Sequence, residues 1–188
     1  DHPHVAAALD NLGNQLQAEG NLIQAKPLYQ RALEIREAAF GTNHHEVASS
    51  LNNLATLLER QGELSEAQAN FRRAMVIGEV ALGENHPSIG IYAFNLANVL
   101  KQEGSLAEAR RLLERTLQIY EATGNCDQVY LANILGALAN VQWGLEDLGE
   151  ARRTYQRALV IWQTTGNDSS AQEILSLLQR IDKQSSAE

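Results

Sequence analysis

The sequence repeats itself at an interval of 42 residues. Shifted by that interval, one nine-residue segment falls on three others without a gap: VAAALDNLG at 5–13, VASSLNNLA at 47–55, IGIYAFNLA at 89–97 and LANILGALA at 131–139. A fixed period of about 20–50 residues is typical of proteins built from stacked structural units, each of which packs only on its neighbours. This period limits the folds open to the chain more than its composition does.

Each repeat is predicted to form two helices. In the second repeat, Leu51, Leu54 and Leu58 follow the i, i+3, i+7 spacing that places side chains on one face of a helix. Gly62 then ends that helix, because glycine accepts the left-handed conformation found beyond a helix C-terminus. The Asn or Asp residues between repeats are expected to cap the next helix. The predicted helices cover residues 3–18, 22–40, 44–60, 64–82, 86–102, 106–122, 128–144 and 148–164.

The last segment departs from the period but keeps a helical pattern. Over residues 171–183, Ile174, Leu178 and Ile181 share one face while the opposite face stays polar, as expected for a helix that covers the final repeat. We therefore expect an all-α fold of four helix-turn-helix repeats, followed by a C-terminal capping helix and tail. The predicted boundaries are 1–42, 43–84, 85–126 and 127–168 for the repeats and 169–188 for the capping helix and tail.

No matching cap precedes the first repeat. Its apolar face would then be covered either by further repeats upstream in a longer protein or by a partner. The first arrangement is favoured. The second predicts self-association of the chain through the uncapped N-terminal repeat.

The charge balance argues against two classes of partner. The chain carries 15 Lys and Arg residues against 23 Asp and Glu residues, a net charge of −8, whereas nucleic acids and anionic membrane surfaces are bound by basic footprints. No apolar run reaches the roughly 20 residues needed to cross a bilayer. Cys126 is the single cysteine and is interpreted as a loop thiol. Because it has no partner for a disulfide, a reduced, cytoplasmic setting is expected.

The histidines are the residues most open to a catalytic or metal-binding interpretation. His2, His44 and His86 recur at the interval of 42 residues. Packed helices lie about 8–10 Å apart, whereas zinc needs its ligands within about 2.1 Å of one ion. These histidines are therefore interpreted as residues of the linkers and helix caps. The chain is predicted not to be an enzyme and to bind no cofactor or metal.

The spacing of eight residues in the first repeat resembles the tetratricopeptide repeat. These residues are Leu9, Leu12, Gly13, Leu16, Gly20, Ala25, Tyr29 and Ala32. The long period, the LNNLA segment and the G-x-N-H-P linker resemble the variant found in kinesin light chains and in many bacterial signalling proteins. The family's proline near the end of the second helix is absent, which fits a longer helix. The residues in its place are Glu37, Glu79, Glu121 and Gln163. The resemblance implies a right-handed superhelical solenoid that binds a protein or peptide in its concave groove.

The resemblance also implies which residues line that groove. In the second repeat, Asn53 and Arg60 lie opposite the leucine face, and asparagines recur at equivalent places in the other repeats. An asparagine amide can pair with both the N–H and the C=O groups of an extended peptide, while Phe94 and Trp143 are interpreted as apolar anchors. The predicted peptide-binding residues are Asn11, Asn14, Asn53, Arg60, Phe94, Asn95, Asn98, Lys101, Asn133, Asn140 and Trp143.

Several alternatives remain open. Some asparagines, above all Asn11, Asn53 and Asn95, can tie neighbouring repeats together instead of contacting a ligand. Both aromatic anchors can belong to the core, as is expected for Trp162 beneath the capping helix. The array can also serve as a regulatory or oligomerisation module of a larger signalling enzyme instead of a peptide-binding scaffold. The preference of the groove for acidic or apolar peptides is open.

Overall fold

The computed structural model describes residues 2–123 and 127–185. Within those ranges the chain forms nine α-helices and no strand. The helices are α1 (Pro3–Ala18), α2 (Leu22–Phe40), α3 (His45–Gln61), α4 (Leu64–Leu82), α5 (Pro87–Gln102), α6 (Leu106–Thr123), α7 (Gln128–Gly144), α8 (Leu148–Thr164) and α9 (Asp168–Ser185). The all-α prediction is confirmed, and the predicted repeat helices match α1–α8 within one residue at each end. The last helix extends beyond the predicted 171–183 at both ends.

The helices group into two compact units, Asp1–Val99 and Leu100–Glu188. In the first unit α1 packs on α2, α2 on α3 and α3 on α4. In the second unit α6 packs on α7, α7 on α8 and α8 on α9. These helices thus pack mainly on helices next to them in the chain, as expected for stacked helical units. The four repeat boundaries and the right-handed superhelix stay predictions.

The turns between paired helices are made by residues with positive φ. Gly20, Gly62 and Gly104 have φ angles of 82°, 81° and 80°, so the predicted helix-ending glycines are confirmed. Glu146, at the equivalent place before α8, also has a positive φ of 63°. Left-handed backbone costs a non-glycine residue about 1–2 kcal/mol. The packing of α7 on α8 must therefore impose this turn on a residue that does not favour it.

Histidine, rather than asparagine, caps three of the helices. The Nδ1 atoms of His2, His44 and His86 accept hydrogen bonds from the backbone N–H two residues further on, at 3.3, 3.2 and 3.2 Å. The prediction that Asn or Asp caps α1, α3 and α5 is therefore wrong, because those residues lie one position too early in the chain. The prediction is confirmed for α7, where Asp127 Oδ1 accepts from the backbone N–H two residues on, at 2.9 Å.

One contact in the first unit shows how neighbouring helices match each other in size. Gly78 on α4 has no side chain, and a Cβ there would lie 2.7 Å from Ile89 and 3.1 Å from the Tyr92 ring. At the equivalent contact earlier in the chain, the large residue is Arg36 on α2 and the small one is Ser50 on α3. Closely packed interiors leave few voids. The contact therefore requires a large side chain on one helix to face a small one on the other, and either helix can carry the large one.

Arg36 is a buried cation in the first unit. Its guanidinium pairs with the Asp10 carboxylate and with the Ser50 hydroxyl, and its Nε lies 3.0 Å from a carboxylate oxygen of Glu46. The side chains of Arg36 and Asp10 are 8% and 10% exposed. Burial raises the pKa of the Asp10 carboxyl, and the hydrogen bond and charge of Arg36 partly offset this rise. These contacts join α1, α2 and α3, and they leave a buried charge if one partner is removed.

One core cluster of the second unit joins α7, α8 and α9. Trp162 and Ile174 are each 6% exposed, Ile181 is 1% exposed, and all three belong to one cluster with Tyr155. The predicted packing of Trp162 beneath the C-terminal helix is therefore confirmed. The apolar face of α9 covers α8, while its other face stays in water.

Two surface ion pairs of the first unit recur in the second. Lys26 pairs with Glu63 at 2.8 Å, and Arg73 pairs with Glu37 at 2.6 Å. The corresponding pairs of the second unit are Arg110–Asp147 at 3.2 Å and Arg157–Glu121 at 2.5 Å. Exposed pairs of this kind contribute about 0–1 kcal/mol each. They accompany the packing of each unit but contribute little to its stability.

We predict that Arg36→Ala lowers the free energy of unfolding by about 3–5 kcal/mol, because it leaves the Asp10 carboxyl buried without its cation. Adding Asp10→Asn should recover much of that loss, since a neutral amide costs less to bury. Urea unfolding followed by circular dichroism gives both values. Arg31→Ala, which removes an exposed pair with Glu34 on the same helix, is the control and should cost about 1 kcal/mol or less. Equal losses for the two arginines would contradict this account of the buried pair.

Candidate functional site

The predicted site residues divide between the two units. The first unit contains exposed Asn11, Asn14 and Arg60 and half-buried Asn53, Phe94, Asn95 and Asn98. The second unit contains exposed Asn133 and Asn140 and half-buried Lys101 and Trp143. All of them lie on α1, α3, α5 and α7. Their contacts differ, and these contacts decide what each side chain can still bind.

Two asparagines of the first unit contact the neighbouring first helix. Asn95 Nδ2 donates a hydrogen bond to Asn52 Oδ1 at 2.9 Å. The Asn53 amide lies close enough to the Asp10 carboxyl to favour its ionised form. Both amides therefore make contacts within the stack, which is one of the alternatives that the sequence leaves open.

Arg60 also reaches the neighbouring first helix. One guanidinium nitrogen donates to the backbone carbonyl of Gln17 at 2.9 Å, near the C-terminal end of α1, where a positive charge is favourable. Arg60 nevertheless stays exposed, and a guanidinium carries five N–H donors. It can hold the end of α1 and still donate to an acceptor group of a ligand.

Asn14 and Asn140 are held by tyrosines from the paired helix. The Tyr29 hydroxyl donates to Asn14 Oδ1 at 2.7 Å, and the Tyr155 hydroxyl donates to Asn140 Oδ1 at 2.7 Å. The tyrosines are 1% and 0% exposed, whereas both asparagines are exposed. Because a hydroxyl occupies the amide oxygen, each asparagine turns its two N–H donors outward. Both positions therefore present hydrogen-bond donors at the protein surface.

The two tyrosines are site residues that the sequence prediction missed. Each stands 15 residues after its asparagine, whereas Leu113 stands at that distance from Asn98. Leucine offers no hydroxyl, so the Asn98 amide is not oriented in this way. The sequence signal for this pairing is an Asn followed by a Tyr 15 residues later, which occurs at only two places, Asn14 with Tyr29 and Asn140 with Tyr155. The Tyr29 hydroxyl also has a second acceptor within reach, Gln17 Oε1 at 3.0 Å.

Burial raises the pKa of both Tyr29 and Tyr155 to about 12. The negative charge of Asp10 adds to the rise at Tyr29, and the positive charge of Arg180 opposes it at Tyr155. Both hydroxyls therefore keep their protons at neutral pH. The hydrogen bonds that orient the two asparagines persist across the physiological range.

In the second unit, three predicted residues line one cavity. This cavity of about 210 Å³ is bordered by Lys101 on α5 and by Asn133 and Asn140 on α7. Buried Trp162 and Ile174 form its floor. Polar side chains thus make up most of the exposed lining, and the two apolar side chains lie beneath them.

Trp143 lies outside that cavity and contacts α9. Its indole Nε1 donates to Gln184 Oε1 at 2.9 Å, and the guanidinium carbon of Arg180 lies 4.8 Å from the ring centroid. A cation over an aromatic face is attracted by the ring quadrupole. One face of the Trp143 ring is thus engaged within the unit, and its role as a ligand anchor stays a prediction.

The histidines and acidic residues of the described ranges form no metal centre. Across residues 2–123 and 127–185, no group of three or more His, Cys, Asp or Glu could hold a metal ion. No helix in those ranges is long and apolar enough to cross a bilayer. Cys126, predicted to be a loop thiol, lies outside the described residues.

Comparison with known proteins gives one family and several solved structures. The model of the tetratricopeptide repeat family matches residues 4–79, 49–122 and 88–164. The structure of BtubC (BKLC) from P. vanneervenii superposes with a TM-score of 0.81 at 21% identity, covering 88% of this chain and 66% of that one. This chain therefore spans less than two thirds of BtubC. The comparison with curated proteins finds no match.

Other structures match over nearly their whole length. The TPR-like repeats of a Podosopora anserina protein described as a kinesin light chain superpose with a TM-score of 0.77 at 20% identity, covering 98% of each chain. A variant of those repeats gives a TM-score of 0.77 at 19% identity, covering 100% of this chain and 99% of that one. At these identities the likeness shows a shared fold.

We predict that the folded chain loses stability between about pH 10 and pH 12. The unfolded chain releases its tyrosine protons near pH 10, whereas the folded chain keeps Tyr29 and Tyr155 protonated up to about 12. The unfolded state then binds fewer protons than the folded state, so the free energy of unfolding falls as the pH rises through this window. Urea unfolding at closely spaced pH values measures the slope. Tyr155→Phe should flatten it, and a slope that stays the same would refute the assignment.

Proposed function

We propose that this chain, which belongs to the tetratricopeptide repeat family, is a non-catalytic scaffold. It binds a peptide or helical segment of a partner protein. Members of this family generally mediate interactions between proteins. The proposed binding residues lie on the first helices α1, α3, α5 and α7. A cytoplasmic setting is part of the proposal and is supported by the single cysteine among 188 residues.

The fixed orientation of Asn14 and Asn140 is the observation that carries the proposal. Each amide oxygen accepts a hydrogen bond of 2.7 Å from a buried tyrosine, so the N–H donors are already in place before a ligand arrives. A group that is oriented in advance loses less conformational entropy on binding. The backbone carbonyls of an extended segment are acceptors, so donors of this kind suit a peptide partner.

Other predicted residues extend the polar surface within each unit. In the first unit, exposed Asn11 lies on the same helix as Asn14. In the second, Asn133 and Lys101 border the cavity together with Asn140. The half-buried aromatic residues at 94 and 143 are proposed as apolar contacts for the partner.

A second function is favoured by the apolar face of α1. Val5 and Leu12 are each 47% exposed, whereas Val47 and Leu54, at the equivalent places on α3, are 0% and 7% exposed. The helix α3 also has a preceding helix, α2, packed on it. We propose that the exposed face of α1 pairs with a second copy of the chain. Self-association would suit the alternative role of an oligomerisation or regulatory module in a larger signalling enzyme.

We predict that Asn140→Asp weakens peptide binding by about 1–3 kcal/mol while leaving the fold intact. Aspartate keeps an oxygen for the Tyr155 hydroxyl but removes both N–H donors, so it separates ligand binding from packing. The matched change in the first unit is Asn14→Asp, which keeps the bond from Tyr29. Binding is measured by isothermal titration calorimetry, with peptides selected on the unchanged protein from a random displayed library.

The control for these variants is Gln156→Ala. Gln156 is exposed on α8, away from the first helices, so its loss should leave the affinity unchanged. If both aspartate variants bind like the unchanged protein, the donor role of the asparagines is wrong. A selection that yields no peptide would count against the scaffold as a whole.

We predict concentration-dependent self-association, measured by sedimentation velocity. Val5→Lys combined with Leu12→Lys should abolish it, because association would bury two charges without partners. The matched control is Val76→Lys with Val80→Lys on α4, whose valines are 62% and 80% exposed. This control adds the same charges to a different apolar surface and should still associate. A monomer at all concentrations, or an equal loss in both double variants, would rule out pairing through α1.

A further inference from the structure

Gly136 opens the cavity of the second unit. Asp10, Asn52 and Phe94 precede it at intervals of 42 residues, so larger side chains occupy this position of the period everywhere else. A Cβ placed on Gly136 would meet no atom within 4 Å, and Gly136 lines the cavity. The glycine therefore leaves open a space that any of the other three side chains would fill.

The cavity has room for about one side chain. Its volume of about 210 Å³ is below the roughly 300–1,000 Å³ of pockets for small molecules. Trp162 and Ile174, each 6% exposed, form the floor, and half-buried Leu177 lies beside them. An apolar side chain suits this floor, because a charged one would lose its hydration against apolar carbon.

The rim of the cavity offers both hydrogen-bond donors and an acceptor. Asn140 turns its N–H groups outward because Tyr155 holds its oxygen at 2.7 Å, and Lys101 on α5 also lines the cavity. Glu173 on α9 supplies a carboxylate to the rim. The backbone of an extended peptide carries both C=O acceptors and N–H donors. A neutral backbone therefore complements this mixed rim better than an anion or a cation does.

We propose that this cavity binds one apolar side chain of an extended peptide segment. The backbone C=O groups of the segment pair with Asn140 and Lys101, and a backbone N–H pairs with Glu173. This inference rests on the proposed function and adds to it a subsite with a stated preference. The subsite takes a leucine-like side chain and disfavours an acidic one, because the Glu173 carboxylate repels a second negative charge.

The test uses N-acetyl-L-leucinamide, which carries one apolar side chain between two neutral peptide groups. Its binding is followed by NMR through the backbone N–H of Gly136 and the side-chain amide of Asn140. We expect saturable shifts with a dissociation constant on the order of 1 mM. Gly136→Phe fills the cavity and should weaken binding about tenfold or more.

Two further variants keep this test decisive. Gly136→Ala adds one methyl group in open space and is the matched control, which should still bind the probe. Gly136→Asn fills the cavity with a smaller polar side chain and should also weaken binding. It therefore keeps the test informative if phenylalanine disturbs α7. Circular dichroism verifies that each variant keeps its helix content.

Three outcomes would overturn the inference. The first is the absence of saturable shifts with the probe, and the second is tighter binding of the blocked aspartate analogue. The third is tighter binding of free L-leucine, which would make the site a receptor for a zwitterion. If the probe fails while selected peptides still require the donors of Asn14 and Asn140, the subsite is wrong but the scaffold function stands.

Discussion

The stability of each unit depends on burial between helices that follow one another in the chain. The effect of a covering neighbour is visible in equivalent residues, since Val5 on α1 is 47% exposed whereas Val47 on α3 is 0% exposed. Burying a Val or Leu side chain contributes about 1.5–3 kcal/mol, and α3 alone buries Val47, Leu51, Leu54, Leu57 and Leu58. A typical hydrogen bond contributes about 0.5–1.5 kcal/mol net. The apolar spacing therefore determines how the helices pack, and the polar contacts act within that arrangement.

Within the first unit, polar contacts set how neighbouring first helices align. Asn95 bonds to Asn52 at 2.9 Å, and the Ser49 and Tyr92 hydroxyls lie 3.3 Å apart. Apolar faces tolerate small shifts along a helix, whereas a buried hydrogen bond has a narrow range of distance and angle. These contacts thus favour one alignment. Gly136 stands at the position of Asn52 in the period but offers no side chain for such a bond, and a cavity lies there instead.

The sequence predicted the helices and the packing of Trp162, because both follow from the spacing of apolar residues along one chain. It placed the histidines in the linkers and helix caps but gave the capping role to the preceding Asn or Asp, since a shift of one residue decides which side chain reaches the free N–H groups. It also missed Tyr29 and Tyr155 as site residues. Their side chains are buried, as the pattern implies, but their hydroxyls reach an asparagine on another helix. Which atoms meet across two helices depends on their separation and rotation, and periodicity alone does not contain that information.

Departures from the period are most informative where packing does not require them. Gly78 also departs from the period, but packing requires it, because a Cβ there would lie 2.7 Å from Ile89. Gly136 has no such reason, since a Cβ there would meet no atom within 4 Å. A glycine within a helix also costs about 1 kcal/mol relative to alanine. A residue that weakens α7 and improves no contact needs another explanation, and the cavity that it opens beside Asn140 and above Trp162 supplies one. The open space beside Asn140 is what the glycine contributes.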